Sequence, residues 1–427
     1  MLSRKLLGQG ALNENPVLTL DRAYEYTEDW VDWDTHGPGT AFRKYYSLYY
    51  DIARSFDLDP AARYCPDYPA ARLQTRVWSR LTSEGVRAVR QLRPFTRDNN
   101  GGTPMKDVSG KIAVVTGGGS GMGRELVRQL VAEGCAVAMC DVSARGMAET
   151  MRLCAAAGLP QGLRITAHVA DVSNEPDVQR FRDEMAAQHA TDRIHLLFNN
   201  AGISGGGSMI VNERAEWERT FNICWGGVYL TTRAFLPMLR AADEAHIVNT
   251  SSMNGFWASV GPDTPHTAYS AAKFAVKGFT EALIADFRMN APHIKVSVVM
   301  PGHIGTGIRD NSLKVQAFTD ADGLNAAQIA QIRTRMASMG GDASKYSDAD
   351  IERMHAERAR RFVTDAPTTA AEAATIILDG VKADHLRILV GSDARIIDRM
   401  VREDPDHAYE PEFYERFAAE AGWYLGR

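Results

Sequence analysis

The segment "IAVVTGGGSGMG", residues 112–123, decides the fold. An apolar run ends at Thr116, and Gly117, Gly121 and Gly123 follow in the spacing T-G-x-x-x-G-x-G, before a helix-forming stretch. In such a strand–turn–helix unit, backbone N–H groups and the positive end of the helix dipole can approach a pyrophosphate, which side chains at the glycines would obstruct. An ordinary strand-to-helix turn is the alternative. We expect a dinucleotide-binding unit to begin here.

Short apolar runs alternate with longer amphipathic stretches through the rest of the chain. Continuous apolar strands separated by helical lengths indicate a parallel sheet with helices on both faces. The pattern predicts an α/β fold, a Rossmann-type doubly wound parallel sheet of about seven strands. The expected strands are residues 112–116, 135–141, 164–171, 194–200, 246–251, 294–300 and 387–391.

The composition excludes several classes of protein. With 45% hydrophobic and 24% charged residues and a net charge of -5, the chain has no basic excess for binding nucleic acid. No window reaches the roughly 18 apolar residues of a membrane span, so a membrane partner is not expected. The five cysteines form no C-x-x-C pair, which favours reduced thiols and a cytoplasmic location. No set of side chains has the spacing of a metal site.

The pattern divides the chain into three parts. Residues 1–105 form an extension that holds eight of the fourteen tyrosines, and its segment 71–93 predicts a helix. That helix either docks on the protein or lies on a membrane surface. Residues 106–402 form the dehydrogenase-like core, in which 306–365 is an insertion expected to act as a mobile lid. Residues 403–427 form a docking tail.

Two acidic residues follow predicted strands. Asp141 lies about 20 residues after the glycine turn, where a carboxylate can bind the adenosine ribose and repel a 2′-phosphate. NAD is therefore favoured and NADP is less expected, although Asp141 could instead cap the next helix. Asp171, with Val172, could contact the adenine or cap a helix.

Tyr269 and Lys273 are four residues apart in "TAYSAAKFA" and share a helix face. They could simply be neighbours on a solvated surface. The functional alternative is that the ammonium activates the phenol, whose usual pKa of about 10 is too high for a base at neutral pH. An ammonium about 4 Å away, at an effective dielectric constant near 20, contributes about 4 kcal/mol. We expect this pair to lower the pKa of Tyr269.

These motifs together resemble the short-chain dehydrogenase/reductase family, over roughly residues 107–310 and 365–395. The resemblance lies in Thr116 to Gly123, in N-N-A-G at Asn199 to Gly202, and in Y-x-x-x-K at Tyr269 to Lys273. It implies a catalytic tetrad of Asn222, Ser252, Tyr269 and Lys273, with Ser252 chosen as the second serine of "SSMNG". Ser252 alone could also be a strand-end hydroxyl bonded to backbone. The 17-residue interval from Ser252 to Tyr269 is longer than usual and predicts a bulged loop at 261–267.

The motifs and the resemblance also give the cofactor-binding residues. Thr306, in "PGHIGTG", is placed near the nicotinamide carboxamide by the resemblance, unless this segment is a simple strand exit. The expected set is Gly117, Ser120, Gly121, Met122, Gly123, Asp141, Asp171, Val172, Asn200, Ala201, Gly202, Tyr269, Lys273, Pro301, Gly302, Ile304 and Thr306.

The resulting expectation is an NAD-dependent oxidoreductase that interconverts a secondary alcohol and a ketone. Trp225, Phe256, Trp257 and the glycine-rich stretch 202–209 suggest a fairly large apolar substrate. An NADPH-dependent ketoreductase of acyl or polyketide substrates is one alternative. A dinucleotide-binding sensor without catalysis is another, because a fold alone does not fix function. The resemblance implies a homodimer or homotetramer.

Overall fold

The computed structural model describes residues 105–262, 264–319, 323–338 and 341–425. The expected extension 1–105, including the helix at 71–93, therefore lies almost entirely outside the described residues. Among the helices of the described part, none is long and apolar enough to cross a membrane.

A seven-stranded parallel sheet forms the centre of the described part, in the order β3-β2-β1-β4-β5-β6-β9. The predicted fold class is thereby confirmed, and the observed strand ends differ from the expected ones by at most two residues. The order reverses between β1 and β4, and this switch point is where open α/β sheets bind ligands. The strands are β1 Ile112–Thr116, β2 Ala136–Asp141, β3 Ile165–Val169, β4 Leu196–Asn199, β5 Ala245–Thr250, β6 Ile294–Pro301, β7 Ile304–Gly305, β8 Thr368–Thr369 and β9 Arg387–Val390.

Helices cover both faces of this sheet. A short π-helical segment, Asn222–Gly226, joins the fourth and fifth helices without a break, and we call it the π-turn. The helices are α1 Gly121–Ala132, α2 Ala144–Ala156, α3 Glu175–His189, α4 Arg214–Phe221, α5 Gly227–Arg240, α6 Thr267–Asn290, α7 Ile308–Gln316, α8 Ala326–Ser338, α9 Asp348–Thr364, α10 Ala370–Lys382, α11 Ser392–Glu403 and α12 Pro411–Ala421.

The apolar core has one layer on each face of the sheet. Val115 and Phe198 point into the layer under α1 and α10, and their chain neighbours Val114 and Leu197 point into the opposite layer. All four side chains are at most 1% exposed. Burial on both faces explains why the strands are continuous apolar runs rather than alternating ones.

A third apolar cluster joins the C-terminal segment to the loop after β5. Phe413 and Phe417 of α12, together with Trp423, pack around the fully buried Trp257. The role of residues 403–427 as a docking tail stays a prediction, which these contacts favour. The insertion 306–365 consists largely of α7, α8 and α9, and its behaviour as a lid stays a prediction.

Candidate active site

The glycine turn lies between the end of β1 and the start of α1. Gly117 and Gly121 have φ values of +70° and +52°, which side chains rarely tolerate. A Cβ at Gly123 would collide with the carbonyl oxygen of Gly117. The turn therefore needs its glycines, and it leaves the first N–H groups of α1 without partners inside the helix. A cradle of this kind fits a pyrophosphate.

Thr116 fastens the turn to the end of β4. Its Oγ1 accepts hydrogen bonds from the backbone N–H groups of Asn200 and Ala201, both at 3.0 Å. The Asn200 side-chain nitrogen donates to the Thr116 carbonyl at 3.0 Å, while its Oδ1 is buried without a partner in the described residues. The two strand ends thus form one rigid floor at the switch point.

Asp141 ends β2 directly beside the glycine turn. Its Oδ2 accepts from the backbone N–H of Gly119 at 2.9 Å, and its Oδ1 accepts from that of Ser143 at 3.0 Å. The cap of α2 is Ser143, whose hydroxyl accepts from Gly146. The helix-cap alternative for Asp141 is therefore wrong, and the carboxylate lies at the carboxyl end of β2 beside the glycine turn.

Asp171 and Val172 lie just beyond the end of β3. Asp171 Oδ1 accepts from the backbone N–H and the hydroxyl of Ser173, and its Oδ2 lies 3.6 Å from Arg219. Asn174 caps α3, so Asp171 is not that cap either. Val172 is 6% exposed. Contact of these two residues with an adenine stays a prediction.

Tyr269 and Lys273 lie on the first turns of α6, next to the end of β5. The Lys273 ammonium donates to the Thr250 carbonyl at 2.8 Å and lies 5.4 Å from the centre of the Tyr269 ring. Lys273 is only 2% exposed, so the pair does not occupy a solvated helix face. The surface-neighbour alternative is therefore wrong.

The two serines at the end of β5 have different partners. The Ser252 hydroxyl is near enough to the Tyr269 phenol to lower its pKa, and it accepts from the backbone N–H of Asn254 at 3.1 Å. The Ser251 hydroxyl instead donates to the Lys273 carbonyl at 2.7 Å. Ser252 thus faces the phenol, and Ser251 holds α6 against the strand.

The electrostatic effect on Tyr269 differs from our expectation. Burial raises the pKa of Tyr269 above its usual value, and the hydrogen bond from Ser252 opposes this rise. Burial also lowers the pKa of Lys273. The expected decrease in the phenol pKa is absent because desolvation penalises the charged form and is the largest contribution.

The place of Asn222 beside the other three proposed catalytic residues stays a prediction. Its side chain is exposed at the start of the π-turn. Ile223 and Cys224 are the buried residues of this turn, and Cys224 is 0% exposed. The π-turn interrupts the regular spacing of the helix, and Cys224 Sγ and Lys273 Nζ both lie close to Gly202.

The segment after β6 crosses back to the glycine turn. Gly302 donates to the Val390 carbonyl at 2.9 Å, and His303 N–H donates to the buried carboxylate of Asp393 at 2.6 Å. Thr306 then lies against Gly121, where an added Cβ would be 3.2 Å from Thr306 Cγ2. These contacts hold the segment from Pro301 through Ile304 to Thr306 over the turn.

A further residue of this region escaped the sequence interpretation. Asn311, on α7, donates from its side chain to the Ser120 hydroxyl at 2.9 Å. The first helix of the insertion thereby contacts the glycine turn, next to Met122. No local pattern in the sequence signals this contact, because it joins residues 191 positions apart.

The aromatic residues expected around the substrate pack elsewhere. Trp257 is 1% exposed and donates from its indole to the Ala408 carbonyl at 2.7 Å. Phe256 packs against the same C-terminal cluster. Trp225 packs edge-on against Phe279 of α6. Their interpretation as a substrate pocket is not supported, because they serve the contacts between helices and the tail.

The chain is similar to proteins of a well-populated enzyme family. A family model described as short chain dehydrogenase matches residues 111–317. The Mycobacterium tuberculosis protein named "Putative oxidoreductase SadH" is 33% identical over 298 residues, which cover 70% of this chain and 92% of that protein. Levodione reductase of Leifsonia aquatica is 31% identical over 213 residues, covering 50% of this chain and 76% of the reductase. Epidermal retinol dehydrogenase 2 of Homo sapiens is 32% identical over 206 residues, covering 48% and 64%.

Solved structures show the same architecture. A short chain dehydrogenase/reductase from Burkholderia phymatum, in complex with NAD, matches with a TM-score of 0.56 and 28% identity, over 71% of this chain and 97% of that one. The structure of levodione reductase matches with a TM-score of 0.50 and 24% identity, over 66% and 95%, and shares the fold.

Proposed function

The chain belongs to the short-chain dehydrogenase/reductase family, and on this premise we propose that it is an NAD-dependent oxidoreductase that interconverts a secondary alcohol and a ketone. The observation that carries this proposal is the meeting of Tyr269, Ser252 and Lys273 at the end of β5. They lie at the same edge of the sheet as the glycine turn, close to its switch point. Binding and acid–base groups at one sheet edge suit hydride transfer to a nicotinamide.

The residues of the cleft fit a dinucleotide. The glycine cradle would hold the pyrophosphate, and Asp141 would accept hydrogen bonds from the adenosine ribose. The buried acceptor Oδ1 of Asn200 would be satisfied by a hydroxyl donor. Gly202 lies within contact distance of Lys273, so the backbone can pass close to a bound ring. The negative charge of Asp141 favours NAD, and the related Burkholderia phymatum structure is a complex with NAD.

The chain's own residues supply the proton chemistry. During oxidation, the Tyr269 phenolate oxygen takes the proton of the substrate hydroxyl as the carbon–hydrogen bond breaks. Ser252 holds the substrate oxygen in line with the phenol, and Lys273 stabilises the ionised phenol. The bound nicotinamide supplies the chemistry of accepting the hydride at its C4. Reduction uses the same groups in reverse, with Tyr269 as the proton donor.

The substrate is expected to be apolar, although the large aromatic side chains do not line the site. Apolar side chains follow the glycine-rich stretch after β4: Met209, Ile210 and Val211 are 72%, 94% and 43% exposed. Exposed apolar groups beside a cleft suit an apolar ligand. Two relatives are named for retinol and levodione.

The proposal includes a homo-oligomeric assembly and a cytoplasmic location. Tyr229 on α5 and Phe274 on α6 are 45% and 41% exposed, and they would pack in a homodimer or homotetramer. Four described cysteines are free and buried, as suits a reducing cytoplasm.

The experiment that tests this function compares NAD and NADP as oxidants for a panel of aliphatic, aryl and steroidal secondary alcohols, followed by nicotinamide absorbance. We expect NAD to give the higher kcat/KM by about tenfold or more. Asp141→Asn is the matched variant, because an amide oxygen can still accept from Gly119 while the charge is lost. This variant should have a smaller ratio of kcat/KM with NAD to kcat/KM with NADP than the wild type. A wild-type preference for NADP, unchanged in Asp141→Asn, would contradict the assignment of NAD.

A further inference from the structure

Cys224 is a buried thiol that the proposed chemistry does not use. It lies in the middle of the π-turn between α4 and α5, and its side chain is 0% exposed. Its Sγ donates a hydrogen bond to the Ile203 carbonyl at 3.1 Å. Because π-turns interrupt the regular helical register, they often occur where a side chain must reach a functional site. The bond to Ile203 fixes the sulfur just beyond the end of β4.

The Cys224 sulfur and the Lys273 ammonium border the same small space. The position of a Cβ on Gly202 would lie 3.4 Å from Lys273 Nζ and 3.6 Å from Cys224 Sγ. Gly202 therefore keeps open a gap into which both groups extend.

Within the described part of the chain, the titratable groups that face the buried ammonium are Tyr269, from its own helix, and Cys224, from the π-turn. Strand β5 contributes the Thr250 carbonyl, which accepts one of the three ammonium hydrogens. Tyr269 itself faces His266, whose ring centre is 4.8 Å away, and the Ser252 hydroxyl.

We propose that Cys224 is a positioning residue for Lys273. Its thiol hydrogen is directed to Ile203, so the electron-rich side of the sulfur is left for the space shared with the ammonium. A sulfur is small and polarisable and holds the cation beside Tyr269 without forming a tight ion pair. This role rests on the proposed function, because a positioned ammonium matters only if it stabilises the Tyr269 phenolate. It is distinct from the role expected of Asn222, which is exposed.

Replacement of the sulfur by groups of similar size tests this role. Cys224→Val fills the volume but removes the polar atom, and Cys224→Ser keeps a polar atom that can donate to Ile203. Cys224→Ala serves if the valine variant does not fold. Cys154→Ala is the matched control, since Cys154 is a buried cysteine of α2 that packs in the core under α1.

Two readouts are needed, one of which is independent of turnover. The first is the titration of the Lys273 ammonium by NMR on protein labelled with ¹⁵N-lysine, assigned with Lys273→Met. The second is the pH profile of kcat for alcohol oxidation. We expect Cys224→Val to lower the Lys273 pKa by about one unit and to reduce kcat at neutral pH about tenfold. The kcat of Cys224→Ser should stay within about threefold of the wild-type value. Cys154→Ala should have the wild-type kcat and the wild-type Lys273 titration.

The outcomes separate this inference from the proposed function. An unchanged Lys273 titration in both Cys224→Val and Cys224→Ala would overturn the role of the thiol, whatever the activity. Equal loss of kcat in the serine and valine variants, without a shift of the titration, would show that Cys224 only fills space. A shifted titration in a protein that turns over no alcohol would support the positioning of Lys273 and reject the proposed function.

Discussion

Two helices meet at the reacting end of the cleft, and they differ in regularity. α6 is a regular helix of 24 residues, and its spacing of four places the partly buried Tyr269 and the buried Lys273 on one helix face. The helix formed by α4 and α5 contains a π-turn, and there the residue expected in the site, Asn222, is exposed. Spacing in a sequence predicts a shared face only where the backbone keeps 3.6 residues per turn.

The largest expected effect comes from the regular helix. Lys273→Met keeps the length of the side chain but removes the charge that stabilises the phenolate. We expect kcat to fall about 100- to 1000-fold, the range typical of a lost acid–base function. Lys277→Met, one turn further along α6, is the control, since Lys277 pairs with Glu281 at the helix surface. A loss of less than tenfold in Lys273→Met would weaken the role of the pair.

An effect of intermediate size is expected on the pH dependence of kcat. Because burial raises the pKa of Tyr269, the phenol is protonated at neutral pH in the structure. Oxidation needs the phenolate and should accelerate as pH rises, whereas reduction needs the phenol and should slow as pH approaches the phenol pKa. Ser252→Ala removes the hydrogen bond that lowers this pKa, so the profile of kcat should move to higher pH.

Profiles measured in both directions, with and without Ser252→Ala, provide the check. A shift of the Ser252→Ala profile to lower pH would mean that a different group controls the proton transfer.

The smallest expected effect comes from the irregular helix. Asn222→Ala changes an exposed side chain at the start of the π-turn, so kcat and KM should stay within about twofold of wild type. Steady-state kinetics beside Cys224→Val would sharpen the comparison between the two positions. A loss of kcat above tenfold in Asn222→Ala would support the assignment of Asn222 to the catalytic residues that was made from the sequence.

Local patterns predicted the sheet, the glycine turn and the shared helix face of Tyr269 and Lys273. The strands were predictable because each is a continuous apolar run, and the glycine turn was predictable because three positions cannot hold a side chain. Tyr269 and Lys273 followed from helical spacing. α1 starts at Gly121, inside the glycine motif, because the last glycines of the turn already have helical hydrogen bonding.

Contacts between distant segments account for the errors. Trp257 looked like a pocket residue because it follows Ser252 closely, but the distant Phe417 of the C-terminal segment covers it. Asp393 supports His303 across 90 residues, and Asn311 reaches Ser120 across 191. Such pairs leave no periodic signal, so a single sequence cannot reveal them. The roles of Asp171 and of the insertion 306–365 stay predictions.

The most direct test of the account is the oxidation of the secondary alcohol panel with NAD by the wild-type protein and by Tyr269→Phe, with NADH binding followed by fluorescence in both. This substitution keeps an aromatic ring beside Lys273 and removes only the hydroxyl group. We predict NAD reduction by the wild type, a loss of at least about 100-fold in the variant, and similar NADH affinity in both. Turnover by Tyr269→Phe at the wild-type rate would contradict the assignment of Tyr269 as the proton-transfer group.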